Sequence, residues 1–341
     1  MVKILEGHEA LRDVKDWTAY YTYCQKQAIT GVVFGEIERF GDERIEGLSS
    51  ALLYQWIGEA ERIKHQNLQI NKELAALCRL LDENVIDYAV VKGQVVASYY
   101  ERPKLRTSGD VDFYCKPAIA EQAKKIICKE WGVEMERGNS AYHYHFEHNG
   151  VTFELHFNLF RFYSKLHKDY WQKILHEAMS HHVIVNDTEV ITLEPTVHTL
   201  YIFLHLYNHL TKVGVGLRQF VDLAMMLKAG VDQENLKHHL QKLGMERAFR
   251  ACGYVLVEYL GLSNTYFPYR IDDSDRKYGR RMLAVVLYRG NMGHYNKRHG
   301  WSGFGHQIES GFIKISHFIK FFGLSPCYHL GWMGERLKLI N

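Results

Sequence analysis

The chain has 341 residues, enough for about two domains at roughly 150 residues each, so a peptide or a disulfide-stapled miniprotein is excluded. Lys plus Arg at 42 against Asp plus Glu at 39 leave a formal charge of +3, too balanced to point to a nucleic-acid coat protein or an acidic tail. The 47% apolar and 24% charged fractions exclude wholesale disorder, and no apolar run approaches the roughly 18 residues of a membrane span.

The opening stretch MVKILEGHEALRDV carries charges where a secretory signal would place its apolar core, which makes the cytoplasm the expected location. Residues 8–40 predict one or two helices with an aromatic face of Trp17, Tyr20 and Tyr21, broken near Gly31. From Ser50 to Leu81 the residues Leu53, Trp56, Ile57, Ile63, Ile70, Leu74, Leu77 and Leu81 keep helical spacing among charges, which predicts a long amphipathic helix ending at Asn84. The period then changes. VIDYAVV (85–91) is short, β-branched and almost continuously apolar, as a buried central strand would be. Lys92-Gly93 ends it, a short helix is expected over 94–100, a loop over 101–106, and a second strand over 109–115. Pro117 opens a helix that runs to about Trp131.

Residues 142–157, YHYHFEHNGVTFELHF, alternate aromatic and polar side chains on both sides of Asn149-Gly150, the preferred two-residue hairpin turn. That turn sets His148 opposite Val151, Phe146 opposite Phe153, His145 opposite Glu154 and His143 opposite His156. One face is then aromatic and the other carries His143, His145, Glu154 and His156. Beyond residue 164 helical period dominates, through 196–211, 217–229, 233–243, 246–260 and 274–289. The expected class is α+β: an N-terminal helical segment (1–82), an α/β core (83–165) and a mainly helical C-terminal domain (166–341). Residues 290–306 read as a Gly-, His- and Arg-rich loop. The tail 307–323, with its stripe of Ile308, Phe312, Ile315, Phe318, Ile319 and Phe322, reads as a docked helix in preference to a membrane-surface one.

Asp110 and Asp112 are two apart on a predicted strand, so both carboxylates leave the same face. A solvated edge is the bland account of such a pair, but a buried-looking strand has no bland reason to carry two acids side by side. Two adjacent anions call for a cation, and Mg2+ (or Mn2+), a hard ion that prefers oxygen, suits them. A third acid on the neighbouring hairpin, Glu154, would complete a two-metal site for in-line attack at phosphorus. Lys92, in the strand–turn–helix Val91-Lys92-Gly93-Gln94, and Arg106 are candidate phosphate contacts, with Gly109 beside the acids.

The segment VVKGQVVASYYERPKLRTSGDVDFY (90–114) resembles the uncharacterised bacterial nucleotidyltransferase family of the DNA polymerase beta-like superfamily. The shared pattern is lysine-glycine, a short helix, a Tyr/Pro-containing loop, arginine, then Gly-Asp-hydrophobic-Asp. It extends more weakly to FELHFNL (153–159) and LRQFVDLAMML (217–227). The resemblance implies a polymerase-beta-like core, a small mixed sheet with helices, flanked by helical segments. It implies Asp110 and Asp112 as metal ligands, Glu154 as the third carboxylate and Gly93 in a nucleotide-phosphate loop. The implied reaction moves a nucleoside monophosphate from a triphosphate to an acceptor hydroxyl, with pyrophosphate released. The acceptor stays open among a small molecule, a sugar, an RNA end and a protein. Two features depart from the wider superfamily: Gly93-Gln94 replaces Gly-Ser, and the run from Gly93 to Asp110 is longer. One rival is a toxin-like enzyme that modifies tRNA or protein, which a large basic surface beside the acids would favour. Another is a nucleotide-binding protein without turnover, which the presence of all three acids disfavours.

His145 and His156 flank Glu154 and are candidates to orient the acceptor, or else they fill a polar sheet face. Arg218 and Asp222, four apart, can pair along a helix that the resemblance sets beside the cleft. His205 and His209 share that spacing, but without the zincin glutamate their expected role is packing. His294, Lys297, Arg298 and His299 read as a solvated basic loop, and the six cysteines, with no C-x-x-C pair, as reduced thiols.

Overall fold

The Asp16 side chain accepts the Ala19 amide at 2.9 Å and starts the first helix, α1 (Trp17–Gln27). Ala28, in the left-handed region at φ 56°, ends it, and α2 (Thr30–Ile37) follows. The break therefore falls before Gly31. That glycine lies inside α2, where a Cβ would stand 2.1 Å from the Leu105 carbonyl oxygen, so it serves close approach. The computed structural model describes residues 3–137, 142–291 and 315–338.

The long helix α3 (Ser50–Glu83) is capped by the Ser49 hydroxyl on the Leu52 amide. Trp56, Ile63, Ile70, Leu74, Leu77 and Leu81 are buried as expected, whereas Ile57 faces outward and Leu52 and Ala60 take up the inner stripe. The strand expected over 85–91 is reduced to β1 (Ala89–Val91), because the amides of Val85 and Ile86 close the end of α3 on the carbonyls of Asp82 and Leu81. A short α4 (Gly93–Ala97), β2 (Asp110–Tyr114) and α5 (Pro117–Trp131) follow, then a two-residue β3 (Glu136–Arg137).

The hairpin β4 (His143–His148) and β5 (Val151–His156) has the expected register at every pair, from His148 opposite Val151 to His143 opposite His156. After α6 (Lys165–Glu177) the structure departs from the helical reading. Residues His181–Val185 (β6) and Thr188–Thr192 (β7) form a second hairpin, turned by Asn186 and Asp187 at φ 43° and 69°. The strands of the described residues join one sheet in the order β3-β4-β5-β2-β1-β7-β6, parallel at β5–β2 and β1–β7 and antiparallel elsewhere. The fold is α+β with a mixed sheet, as the sequence led us to expect.

Helices α7 (Pro195–Lys212), α8 (Leu217–Lys228), α9 (Gln233–Lys242), α10 (Glu246–Gly253) and α11 (Asp273–Arg289) match the five expected segments, with α10 continuing as a π-helical turn at Tyr254–Tyr259. The two sheet faces bury different cores. On one, Val111, Phe113, Phe146 and Phe153 pack with α3 and α5. On the other, Ala89, Val91 and Tyr114 meet the C-terminal helices, and Asp110 and Asp112 share that face.

In the tail, residues 315–321 are helical and a last helix spans Pro326–Lys338. The first of these docks through His317 and Phe321 and leaves Ile315 and Ile319 exposed, so the buried face is not the expected stripe. Ile308 and Phe312, and the basic loop residues His294, Lys297, Arg298 and His299, lie outside the described residues. Among the described residues no helix is long and apolar enough to cross a membrane.

Candidate active site

The parallel pairing of β2 and β5 sets Asp112 beside Glu154, and the pleat puts Asp110 on the same face. One carboxylate oxygen from each of Asp110, Asp112 and Glu154 lies within 4.8 Å of the others. The three line a cleft of 340 Å³ together with Lys92, Gly93, Ser108, Gly109 and Arg218. Lys92 Nζ sits 2.6 Å from an oxygen of Asp112. Burial works against the lysine's charge, but Asp112 and the other acids outweigh it and keep it protonated. Asp110 is pushed up, first by the charge of Asp112 and then by burial.

His156 stands behind the acids, with Nε2 at 2.8 Å from Asp112 and 3.1 Å from Glu154. Burial alone would lower its pKa, yet the two carboxylates raise it. The same contact holds Glu154 below the usual carboxylate range, against burial, with help from Lys92. His143 faces Glu154 at 3.8 Å, so His143, Glu154 and His156 form a second metal-capable group that shares one acid with the first. His145 does not join them: its side chain is half-exposed beside Glu136, at 4.0 Å.

The turn that delivers Lys92 is strained. Lys92 has φ 56° and ψ −144°, a region that only glycine enters freely, and its amide donates to His198 Nε2 at 3.1 Å. His198 is fully buried and its pKa is lowered to about 3 by that burial, so the ring is neutral and free to accept. Beside it, the Thr192 hydroxyl donates to the Val90 carbonyl at 2.6 Å. Gly93 at φ +35° follows, and a Cβ there would come within 3.2 Å of the Asp110 carbonyl.

The approach to Asp110 is held by α3. Asn67 Nδ2 donates to the carbonyls of Lys104 and Arg106, and Gln66 Nε2 to that of Ser108. Arg106 is buried and meets Asp222 twice, Nε at 2.7 Å and an Nη at 2.8 Å, while its other Nη donates to Ser108. Asp222 also accepts from Tyr100 and, although buried, is held below the usual carboxylate range by Arg106. Asp222 therefore pairs with Arg106 and not with Arg218 four residues earlier. Arg218 donates to the Thr107 carbonyl at 2.8 Å, and its buried Nε has no partner among the described residues. Burial lowers its pKa, with Arg106 adding to the effect. Across the cleft, the rings of His205 and His209 lie tilted with centroids 4.3 Å apart and are held neutral by burial, and among the described residues no acid completes a metal group with them.

Sequence reading missed His198, Tyr100, Ser108 and Asn291. His198, Tyr100 and Asn291 act through partners remote in the chain, and Ser108 through Arg106 two residues before it. Three carboxylates and Lys92 from the sheet and its turn thus share one cleft with Arg218 of α8. Residues 13–261 match the model of a family described as uncharacterised nucleotidyltransferase, and the chain belongs to that family. Among solved structures, a crystal structure of an antigenic nucleotidyltransferase-like protein from Paracoccidioides brasiliensis is similar at 18% identity, over 57% of this chain and 92% of that one, with a TM-score of 0.36. No curated protein matched the chain.

Proposed function

We propose that the protein moves a nucleoside monophosphate from a nucleoside triphosphate to an acceptor hydroxyl and releases pyrophosphate, with Mg2+ or Mn2+ held by Asp110, Asp112 and Glu154. The observation that carries this reading is the convergence of those three carboxylates within 4.8 Å on one sheet face of a cleft. The donor set fits the ion: three anionic oxygens and no sulfur are what a hard divalent cation prefers. Such an ion, when bound, offsets charge on the phosphoryl oxygens during in-line displacement.

The chain's own groups supply the rest. Lys92 and Arg218 bring positive charge to the triphosphate, and Arg218 has an unpartnered Nε to give. Gly93 lets the backbone come close. Arg106 positions the loop before Asp110, since its fork is committed to Asp222 and Ser108. The acceptor oxygen bonds to the α-phosphorus as the bond to the bridging oxygen breaks, and pyrophosphate leaves with the electron pair. Glu154 is the candidate to take the acceptor proton. A cytoplasmic setting, where triphosphates are plentiful, agrees with six free cysteines.

The test follows α-labelled triphosphates into product with Mg2+ or Mn2+ and a cell extract. Label should transfer to an acceptor, and the double variant D110N/D112N should abolish transfer while its circular dichroism stays native. Transfer that survives the double substitution would refute the metal site.

A further inference from the structure

Arg289, the last residue of α11, is only 9% exposed, yet among the described residues it meets no carboxylate. A guanidinium withdrawn that far from water calls for a counter-anion. It lines a cavity of 530 Å³ between α11 and residues 315–321, which it shares with Arg281, Ser316, His317 and Lys320 and, among the described residues, with no acid. His317 is 4% exposed and its Nδ1 has no partner among the described residues. The described acids nearest in sequence are engaged elsewhere: Asp272 and Asp275 pair with Arg250, and Asp273 with Arg276.

The cavity adjoins the cleft. Asn291, two residues beyond Arg289 and so at most about 7 Å along the backbone, lines the cleft and accepts from Gln219 at 3.1 Å. On α7, His209 lines the cleft and the next two residues, Leu210 and Thr211, turn their backbone toward His317.

We propose that this cavity binds a phosphate monoester carried by the acceptor, a second anion site beside the place of transfer. Two guanidinium groups and an ammonium exceed what one carboxylate neutralises, whereas a phosphate monoester carries close to two negative charges and offers oxygens that match the arginine fork. Ser316 and His317 add a hydroxyl and a ring nitrogen. Assigning the anion to the acceptor rests on the nucleotidyl-transfer reading, whereas anion binding by itself does not.

Calorimetric titration of the full chain with inorganic phosphate, and separately with Mg2+ and a non-hydrolysable ATP analogue, tests both statements. R289Q and, at an exposed position, K320Q should each weaken phosphate binding about tenfold or more and leave the analogue within twofold. D110N/D112N should do the reverse. Absence of phosphate binding, or binding that neither R289Q nor K320Q changes, overturns the site. Equal weakening of the analogue overturns its separation from the donor cleft. Failure of the unsubstituted chain to bind the analogue while it binds phosphate would sink the transfer reading and leave the anion site standing. Competition by glucose 6-phosphate or by a 5′-phosphorylated RNA oligonucleotide, each against its unphosphorylated form, identifies the source of the monoester, and displacement by neither removes the acceptor assignment.

Discussion

The Arg106–Asp222 pair carries more of the site's geometry than its distance from the acids suggests. Both groups are buried, their contact is bidentate, and Tyr100 and Ser108 complete the hydrogen bonding. Removing one partner leaves a buried charge uncompensated, which typically costs about 3–5 kcal/mol. Asp222→Asn should therefore lower the unfolding free energy by roughly that amount in urea titration, and a loss below about 1 kcal/mol would show that the pair is dispensable. His198 is a second residue of this kind. It accepts the amide of a lysine at positive φ, so His198→Phe should lower kcat through a misplaced Lys92, whereas a purely structural role would change the melting temperature alone.

Among the elements, α2 and α3 act as a clamp on the loop that leads into β2. Asn67 binds the carbonyls of Lys104 and Arg106, and α2 approaches so closely at Gly31 that no Cβ fits against Leu105. Gly31→Ala must move either the helix or the loop, and overpacking of this kind costs about 1–3 kcal/mol. The expected outcome is a lower melting temperature together with reduced nucleotide transfer. Wild-type transfer with lowered stability would mean that the loop does not position Asp110. The β4–β5 hairpin is tied to the same helix, since buried Glu73 on α3 meets His148 at 2.8 Å and also accepts from Asn149. One long helix thus fixes the approach to Asp110 and the turn of the hairpin that carries Glu154.

Across the whole molecule, histidine burial predicts acid sensitivity. Burial lowers His198 to about 3 and His209, His317 and His329 to about 4. In the unfolded chain each titrates near 6.5, so between that value and the folded one the unfolded state binds more protons. Their contribution is complete above about pH 6.5 and is lost as pH falls, by up to about 1.4 kcal/mol per pH unit for each histidine. Melting temperature should therefore drop steeply between pH 6.5 and 5, and a flat profile would show that these rings are hydrated in solution.

Alternation around Asn149-Gly150 determined the hairpin register, and the spacing of Asp110 and Asp112 put both acids on one face, because strand geometry is local. Helical period likewise placed α3, α5 and α7 through α11 close to their observed bounds. The β6–β7 hairpin was less legible, since Asn186-Asp187 is a weaker turn signal than Asn-Gly and apolar Ile184 is exposed next to buried Val185, which blurs the alternation. Tertiary structure alone decided that Asp222 binds Arg106, that His198 holds Lys92, and that Arg289 faces a cavity to which no described acid contributes. Partners 106 to 116 residues apart share no local pattern: which cation meets which anion is settled by how the helices pack and exclude water.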